Sequence, residues 1–312
     1  QGKETVPNAN YLWINLFASS LNETGRAALV MANSASDARH SEADIRQNLI
    51  EQNLIYGMLT LPSNMFYTVT LPATLWFFDK DKKDDRILFI DARNIFTPID
   101  KAHREFSDEQ VQNIAIISRL HKGRREDFLA LIDSYFVTGM ERLTENSALV
   151  APVTAQLLEV LDDEPGKKAV ADLLAAWQGL EGLRGEVARS QQQRQGLSTV
   201  EEHNQAQQQL RAAFTPFFAA LHGCLKQIDK AVRQHEKAVA ELVKAGGKGG
   251  KRQNADRATK QLKSGLEALH AEVKQAESSF GHIGWLQERF PEARYEDVTG
   301  LCKLADLAEV RE

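Results

Sequence analysis

Two neighbouring aromatic residues are the first candidates for ligand binding in this chain. Phe66 and Tyr67 end the irregular stretch Leu61-Pro62-Ser63-Asn64-Met65, which comes directly after a predicted strand. α/β folds place their ligand sites in loops at strand ends, and an aromatic ring there can stack on a planar ligand. Packing of Phe66 in the core explains the residue about as well, so the residues alone leave both roles open.

A basic run between residues 244 and 263 is the second candidate, with seven lysines and arginines against one acid. Lys248, Lys251 and Arg252 lie in or beside its glycine-rich part, and such a local excess of positive charge can follow a phosphate backbone. The alternative is a solvated hairpin tip, because no aromatic residues are interleaved. A phosphate-binding loop is excluded, since Gly250-Lys251 lacks a glycine five positions earlier and a following Ser or Thr.

Other catalytic constellations are missing from the sequence. It contains no convincing Ser/His/Asp set, Cys/His pair or carboxylate pair. Cys224 and Cys302 are far apart and have no ligand-spaced partners, so we expect neither a disulfide framework nor a metal site. His235 falls on an apolar helical seam, where a packing role is more typical than a pH sensor. The sequence therefore predicts no self-contained active site.

Composition and charge narrow the class of protein. The 312 residues are 43% hydrophobic and carry a net charge of -5, which argues against a uniformly basic nucleic-acid coat protein. Neither a signal-peptide core near Gln1 nor a run of about 18 to 20 apolar residues is present. We expect a soluble protein of the cytoplasm.

Hydrophobic patterning divides the chain into domains. Residues 1–122 alternate helical and extended patterns in the order helix, strand, helix, strand, strand, strand, helix. Three or four strands are too few for a complete doubly wound domain, so we expect half a sheet, with an unpaired edge at the first strand that another segment or chain must cover. Residues 123–150 are interpreted as a connecting segment.

Residues 151–312 are predicted to form an all-α, coiled-coil domain. Phe218, Leu221, Leu225, Ile228, Val232, His235, Val239 and Leu242 follow an unbroken heptad spacing. A second seam follows between Leu262 and Phe280, and the glycines at 246–250 separate the two, which predicts a long antiparallel helical hairpin over residues 198–280. Phe214, Phe217 and Phe218 near its base are interpreted as an exposed interface, because exposed apolar stripes usually mark one.

Four stretches resemble the modification subunit, a DNA adenine-N6 methyltransferase, of type I restriction-modification systems. They are Asn8 to Trp13 with Gly25 to Asn33, Ile45 to Tyr67 with the returning Leu71 to Phe77, Phe89 to Arg93, and Tyr295 to Lys303. Each stretch alone is modestly specific for the family, but the four stretches in this order are a strong signal for it. The resemblance covers nearly the whole chain.

The resemblance implies the C-terminal half of a Rossmann-like methyltransferase sheet followed by a helical assembly domain. It implies S-adenosylmethionine as cofactor, DNA and the specificity subunit as partners, the restriction subunit in the full complex, and Phe66, or otherwise Tyr67, as a ring that stacks on a flipped adenine. Two departures matter: Thr68-Val69-Thr70 replaces the family's Asn-Thr-Gly, and the glycine-rich cofactor turn and the Asn/Asp-Pro-Pro-Tyr/Phe catalytic loop are absent. We therefore expect a fragment that is inactive alone.

Two alternatives stay open at this point. The chain could serve as a catalytically dead helical scaffold, or as an unrelated coiled-coil nucleic-acid-binding module with a small α/β domain. The DNA target sequence cannot be read from this chain.

Overall fold

The computed structural model describes residues 9–36, 41–194, 196–246 and 250–311. The chain divides into two compact units. The α/β unit comprises residues 1–124 and 294–312, and the helical unit comprises residues 125–293.

The α/β unit contains helices and strands in alternation, here numbered in chain order. They are α1 (Ala9–Ser19), β1 (Arg26–Ala32), α2 (Ser41–Glu51), β2 (Ile55–Thr60), β3 (Ala73–Asp79), β4 (Ile87–Asp91), β5 (Thr97–Pro98), β6 (Arg104–Glu105), α3 (Asp108–His121), β7 (Cys302–Ala305) and α9 (Leu307–Arg311). Ser107 caps α3 through a capping box with Gln110. The predicted order of helices and strands up to α3 is confirmed, with two short strands, β5 and β6, added.

Five strands form one mixed sheet in the order β1-β3-β2-β4-β7. β3 is antiparallel to β1 and β2, β4 is parallel to β2, and β7 is antiparallel to β4. Strands β1, β2 and β4 therefore run in the same direction and end at the same edge of the sheet. β1 is the outer strand on one side among the described residues.

One sheet face carries the main core of this unit. Tyr11 and Ile14 of α1 and Leu49 of α2 pack with Trp76 and Phe78 of β3. These side chains are buried, and the rings of Tyr11 and Trp76 meet edge to face with centroids 6.4 Å apart. α1 and α2 are thereby fixed over the sheet by their apolar residues.

In the described part of the helical unit the chain forms five helices. They are α4 (Arg125–Val160), α5 (Glu164–Gln178), α6 (Leu180–Arg194), α7 (Val200–Lys244) and α8 (Gly250–Arg289). α4 packs along α8, and α5 packs along α7. Thr199 caps α7 through a capping box with Glu202.

Ion pairs link α7 and α8 in antiparallel order. Arg211 contacts Glu288 at 2.5 Å, and Lys263 contacts Glu236 at 2.5 Å, so residues later in α7 face residues earlier in α8. The α7 seam is buried from Phe218 to Val239, except His235, which is partly exposed, whereas Leu242 at its end is 62% exposed.

The observed units differ from the sequence-based boundaries at two places. Residues 123–150 are not a connecting segment, because α4 begins at Arg125 and buries Phe128, Ile132 and Phe136 in the helical unit. Residues 294–312 belong to the α/β unit, because β7 pairs with β4. A four-residue strand carries too little alternation to be separated from neighbouring helical sequence.

Candidate functional site: an aromatic loop at the carboxyl edge of the sheet

The candidate site lies where β1, β2 and β4 end. Loops at the carboxyl ends of parallel strands form the ligand crevice of α/β folds. The loop after β2, residues 61–72 and here called the aromatic loop, carries Phe66 and Tyr67 at this edge. Leu61 at its start is buried and donates its backbone N–H to the carbonyl of Ala73, which continues the pairing of β2 with β3.

Both aromatic rings are exposed. The exposed fraction is 42% for Phe66 and 90% for Tyr67, so core packing does not account for either ring. The backbone N–H of Val69 donates to the carbonyl of Phe66 at 3.3 Å and closes the tip of the loop. An exposed ring on a short closed turn can meet a flat ligand face.

A small hairpin formed by β5 and β6 lies against the aromatic loop. The backbone N–H of Arg104 donates to the carbonyl of Asn64 at 3.0 Å, and Arg104 Nη1 donates to Ser63 Oγ at 3.1 Å. The ring of His103 lies against the ring of Tyr67, with centroids 4.9 Å apart. The sequence analysis missed His103 and Arg104, and only the polar turn that precedes them could have drawn attention to them.

Asp100 organises the turn of this hairpin. Its carboxylate accepts hydrogen bonds from the backbone N–H groups of Ala102 at 2.6 Å and His103 at 2.8 Å, and from His103 Nδ1 at 2.7 Å. The hydrogen bond from the His103 side chain is the main cause that lowers the pKa of Asp100, followed by that from the Ala102 N–H. The turn is thus held by an ionised carboxylate at neutral pH.

A polar contact joins the ends of β1 and the aromatic loop. Thr74 is 1% exposed and donates from Oγ1 to Asn33 Oδ1 at 2.7 Å, and the N–H of Asn33 donates to the carbonyl of Pro72 at 3.4 Å. The turn after β1 is held in addition by Tyr11, whose hydroxyl donates to the carbonyl of Ala35 at 2.5 Å. The end of the aromatic loop and the start of β3 are therefore connected to the segment that follows β1.

A charged pair and an open cleft lie further along the same edge, at β4. Arg93 forms a bidentate contact with Asp91, and hydrogen bonds from the Arg93 side chain lower the pKa of this carboxyl. The cleft measures about 420 Å³ and lies between Thr60, Phe89 and the segment 297–303. Two of the four stretches that resemble the family therefore meet at this edge, namely Phe89 to Arg93 and Tyr295 to Lys303.

The residues that directly follow β1, β2 and β4 at this edge are Asn33, Leu61 and Ala92. In the described part of the chain, no group of three or more His, Cys, Asp or Glu residues is arranged to hold a metal ion. Within those same ranges, no helix is both long and apolar enough to cross a bilayer.

The predicted interface residues of the helical unit are buried instead of exposed. Phe214, Phe217 and Phe218 are 2%, 8% and 6% exposed, so the expectation of an exposed aromatic stripe is wrong. Phe214 stacks on Phe280 with centroids 4.2 Å apart, and Phe217 meets Trp177 at 6.1 Å. Sequence periodicity shows that these residues lie on an apolar helix face. It does not show how many other helices pack against that face.

The structure does not describe the side chains of the predicted DNA-contact residues. Lys248 lies outside the described residues, and Lys251 and Arg252 are described only as part of α8. Their role in DNA contact stays a prediction from the sequence.

Residues 3–133 match the family described as N-6 DNA Methylase. The chain is similar to the type I restriction enzyme MjaIX methylase subunit of Methanocaldococcus jannaschii, with 32% identity over 171 residues that cover 52% of this chain and 31% of the relative. It is also similar to the type I restriction enzyme HindI methylase subunit of Haemophilus influenzae, with 34% identity over 122 residues, or 38% of this chain and 27% of the relative. A crystal structure of the type I restriction-modification system methyltransferase subunit from Streptococcus thermophilus matches 36% of this chain and 24% of that chain, with 23% identity and a TM-score of 0.35.

These comparisons give the class that the chain resembles: residues 3–133, less than half of the chain, are similar to the N-6 DNA methylase family. The resemblance to methylase subunits of type I restriction-modification systems is confirmed. The matched regions span about a third or less of the length of these curated relatives.

Proposed function

We propose that this chain is part of the modification subunit of a type I restriction-modification enzyme and contributes to methylation of adenine N6 in DNA. The carrying observation is that two exposed rings stand at the carboxyl edge of a sheet whose sequence matches N-6 DNA methylases. In this proposal the parent enzyme uses S-adenosylmethionine, and the chain alone is inactive. It acts in the cytoplasm, where its partners are DNA, the specificity subunit that reads the target sequence and, in the full complex, the restriction subunit.

The chemistry explains why exposed rings are needed. Adenine N6 is a weak nucleophile inside a base-paired stack, so the enzyme must turn the base out of the duplex and hold it in line with the methyl donor. Stacking on an aromatic ring contributes about 1 to 3 kcal/mol per base. We assign this contact to Phe66, with Tyr67 as the alternative, while S-adenosylmethionine supplies the methyl group.

The edge of the sheet at β1, unpaired in the described part of the chain, supports a methyltransferase fold in which a second half pairs with this edge. Among the described residues β1 pairs only with β3, and Val30 on this strand is 50% exposed. Leu12, Trp13 and Leu16 of α1 are also more than half exposed. We infer that these residues form the C-terminal half of a Rossmann-like sheet, and that the cofactor-binding half covers this side.

The helical unit is the part that we assign to subunit assembly. In this proposal α7 and α8 are the two arms of the long antiparallel hairpin, and the basic run at 244–263 is left for solvent or DNA. That basic run also favours the second candidate function, a helical scaffold or coiled-coil module that binds nucleic acid without methylating it.

Cofactor binding separates the two candidates. The purified 312-residue chain should show no binding in calorimetry at millimolar S-adenosylmethionine, whereas a longer chain that contains the cofactor-binding half should bind and, with a specificity subunit, transfer a labelled methyl group to DNA. Saturable binding by the 312-residue chain with a stoichiometry near one would contradict the fragment interpretation. Methyl transfer that never appears in the complete assembly would favour the scaffold.

The base contact is tested by Phe66→Ala in the complete enzyme. Methylation should fall far more than DNA affinity, because the ring touches only the flipped base while phosphate contacts elsewhere set affinity. Val69→Ala is the matched control, since Val69 is 46% exposed in the same loop and carries no ring. A selective loss in Tyr67→Ala alone would move the assignment by one residue, and equal loss of binding and methylation in Phe66→Ala would contradict it.

A further inference from the structure

Arg104, in the hairpin beside the aromatic loop, hydrogen-bonds to that loop through both its backbone and its side chain. It reaches the loop twice, through its backbone N–H to the carbonyl of Asn64 at 3.0 Å and through Nη1 to Ser63 Oγ at 3.1 Å. Its guanidinium also lies over the ring of Phe96, 4.1 Å from the centroid. One side chain therefore links the hairpin to the base of the loop.

The aromatic loop has little to hold it in place by itself. Its two internal backbone hydrogen bonds, from Asn64 N–H to the carbonyl of Thr70 and from Val69 N–H to the carbonyl of Phe66, are both 3.3 Å long, near the limit for such bonds. Asn64 has a φ of 62°, a left-handed conformation that asparagine tolerates better than other non-glycine residues but that still has a cost, which contacts around it must offset. The position of Phe66, two residues later, therefore depends on contacts from outside the loop.

The hairpin that carries Arg104 is itself anchored. Asp100 holds its turn by three hydrogen bonds, and Thr97 Oγ1 lies 3.2 Å from Oε1 of Gln110, the capping-box residue of α3. The stack on Phe96 fixes the plane of the guanidinium, so that Nη1 points at Ser63 without a search among rotamers. The connection thus runs from the start of α3, through the hairpin, to the loop.

We propose that Arg104 is a positioning residue: it holds the aromatic loop so that the Phe66 ring is presented to the flipped base. This inference rests on the proposed function for the part that concerns the base. Lysine cannot replace Arg104, because an ammonium group has neither the planar face that stacks on Phe96 nor the fixed direction of the Nη1 donor.

The first test uses the 312-residue chain and asks only whether Arg104 holds the loop. Arg104→Ala should speed chymotryptic cleavage after Phe66 and Tyr67, mapped by mass spectrometry, about 10- to 30-fold, the factor expected from the loss of one ordinary hydrogen bond and one exposed cation–π contact. Arg104→Lys should be nearly as susceptible. Lys83→Ala is the matched control for loss of a cationic side chain, since Lys83 is exposed and pairs with Asp81 in the β3–β4 turn, and its cleavage should equal that of the unaltered chain.

A second variant protects this test against misfolding. Ser63→Ala removes the acceptor of the same bond from the loop side and should raise cleavage a few-fold. Adding Ser63→Ala to Arg104→Ala should then have little further effect, because the bond is already lost. Unchanged cleavage in both single variants, with unchanged circular dichroism, would overturn the role of Arg104.

The second test uses the complete modification enzyme. Arg104→Ala should lower kcat about tenfold with the Kd for DNA unchanged, and should reduce the fluorescence rise of 2-aminopurine placed at the target adenine. A parallel loss of Tm, DNA affinity and kcat would indicate a merely structural residue and overturn the proposal. If Phe66→Ala leaves methylation intact, the proposed base contact fails, while the cleavage test still decides whether Arg104 holds the loop.

Discussion

Removal of the Phe214 ring tests the packing of the helical unit most directly. Phe214 lies on α7, 2% exposed, and stacks on Phe280 of α8 at 4.2 Å between centroids. It also meets Phe136 of α4 at 6.0 Å, so a single ring contacts two other helices. Phe214→Ala should therefore open a cavity where α4, α7 and α8 come together.

The expected loss of stability is large. Buried Phe→Ala substitutions cost about 3 to 5 kcal/mol, and the stacked pair with Phe280 favours the middle of this range or above. With a urea m-value of about 2 kcal/mol/M, a loss of about 4 kcal/mol lowers the unfolding midpoint by about 2 M. Circular dichroism at 222 nm follows this transition, because most helical residues belong to this unit.

Leu242→Ala is the matched control on the same helix. Leu242 belongs to the same heptad seam but is 62% exposed, so its replacement should shift the midpoint by less than about 0.3 M. A Phe214→Ala shift as small as that of Leu242→Ala would refute the burial of the ring. That result would restore the aromatic residues of α7 as candidates for an exposed subunit interface.

Three further predictions follow from the contacts described above. Burial lowers the pKa of His121, so the unfolded chain binds more protons than the folded chain below about pH 6.5. The stability of the α/β unit should therefore fall as the pH drops through this range. His121→Leu should reduce this fall, measured as the urea midpoint from about pH 7.5 to 5.5. Gly139→Ala should destabilise the helical unit by about 1 to 3 kcal/mol, because its Cβ would lie 2.7 Å from the Phe280 ring, whereas Gly182→Ala, with open space around it, should stabilise α6 by about 0.5 to 1 kcal/mol in the same denaturation assay. In the proposed enzyme, charge reversal of Lys248, Lys251 and Arg252 should leave subunit assembly unchanged in gel filtration and should at most flatten the salt dependence of DNA binding. Lost assembly would place the interface at this end of the hairpin.

Local patterns were sufficient for the elements of the α/β unit before residue 124. The capping box at Ser107 involves residues three apart, and the order of helices and strands up to α3 follows from local hydrophobic spacing. β7 pairs with a strand about 210 residues earlier, and no local pattern in Cys302–Ala305 carries that information.

The candidate site was predictable only in part. Phe66 and Tyr67 stand out by residue type after a strand end, and the structure exposes both. His103 and Arg104 do not, because their contacts with the aromatic loop arise from a two-stranded hairpin that folds back across the sheet edge. In the helical unit the heptad spacing predicts the apolar positions of α7. A third helix, α4, also covers Phe214. The spacing within one helix does not show how many helices pack against it.

The return of the chain to β7 has a consequence for synthesis. The strand that completes the sheet emerges from the ribosome about 10 to 40 seconds after β4, at elongation rates of about 5 to 20 residues per second. During that interval the edge of β4 that later pairs with β7 has unpaired backbone groups. Nascent chains whose synthesis has stopped between residues 125 and 293 therefore expose this edge of β4. In such chains a chaperone or the sheet edge of another chain could bind β4 in place of β7.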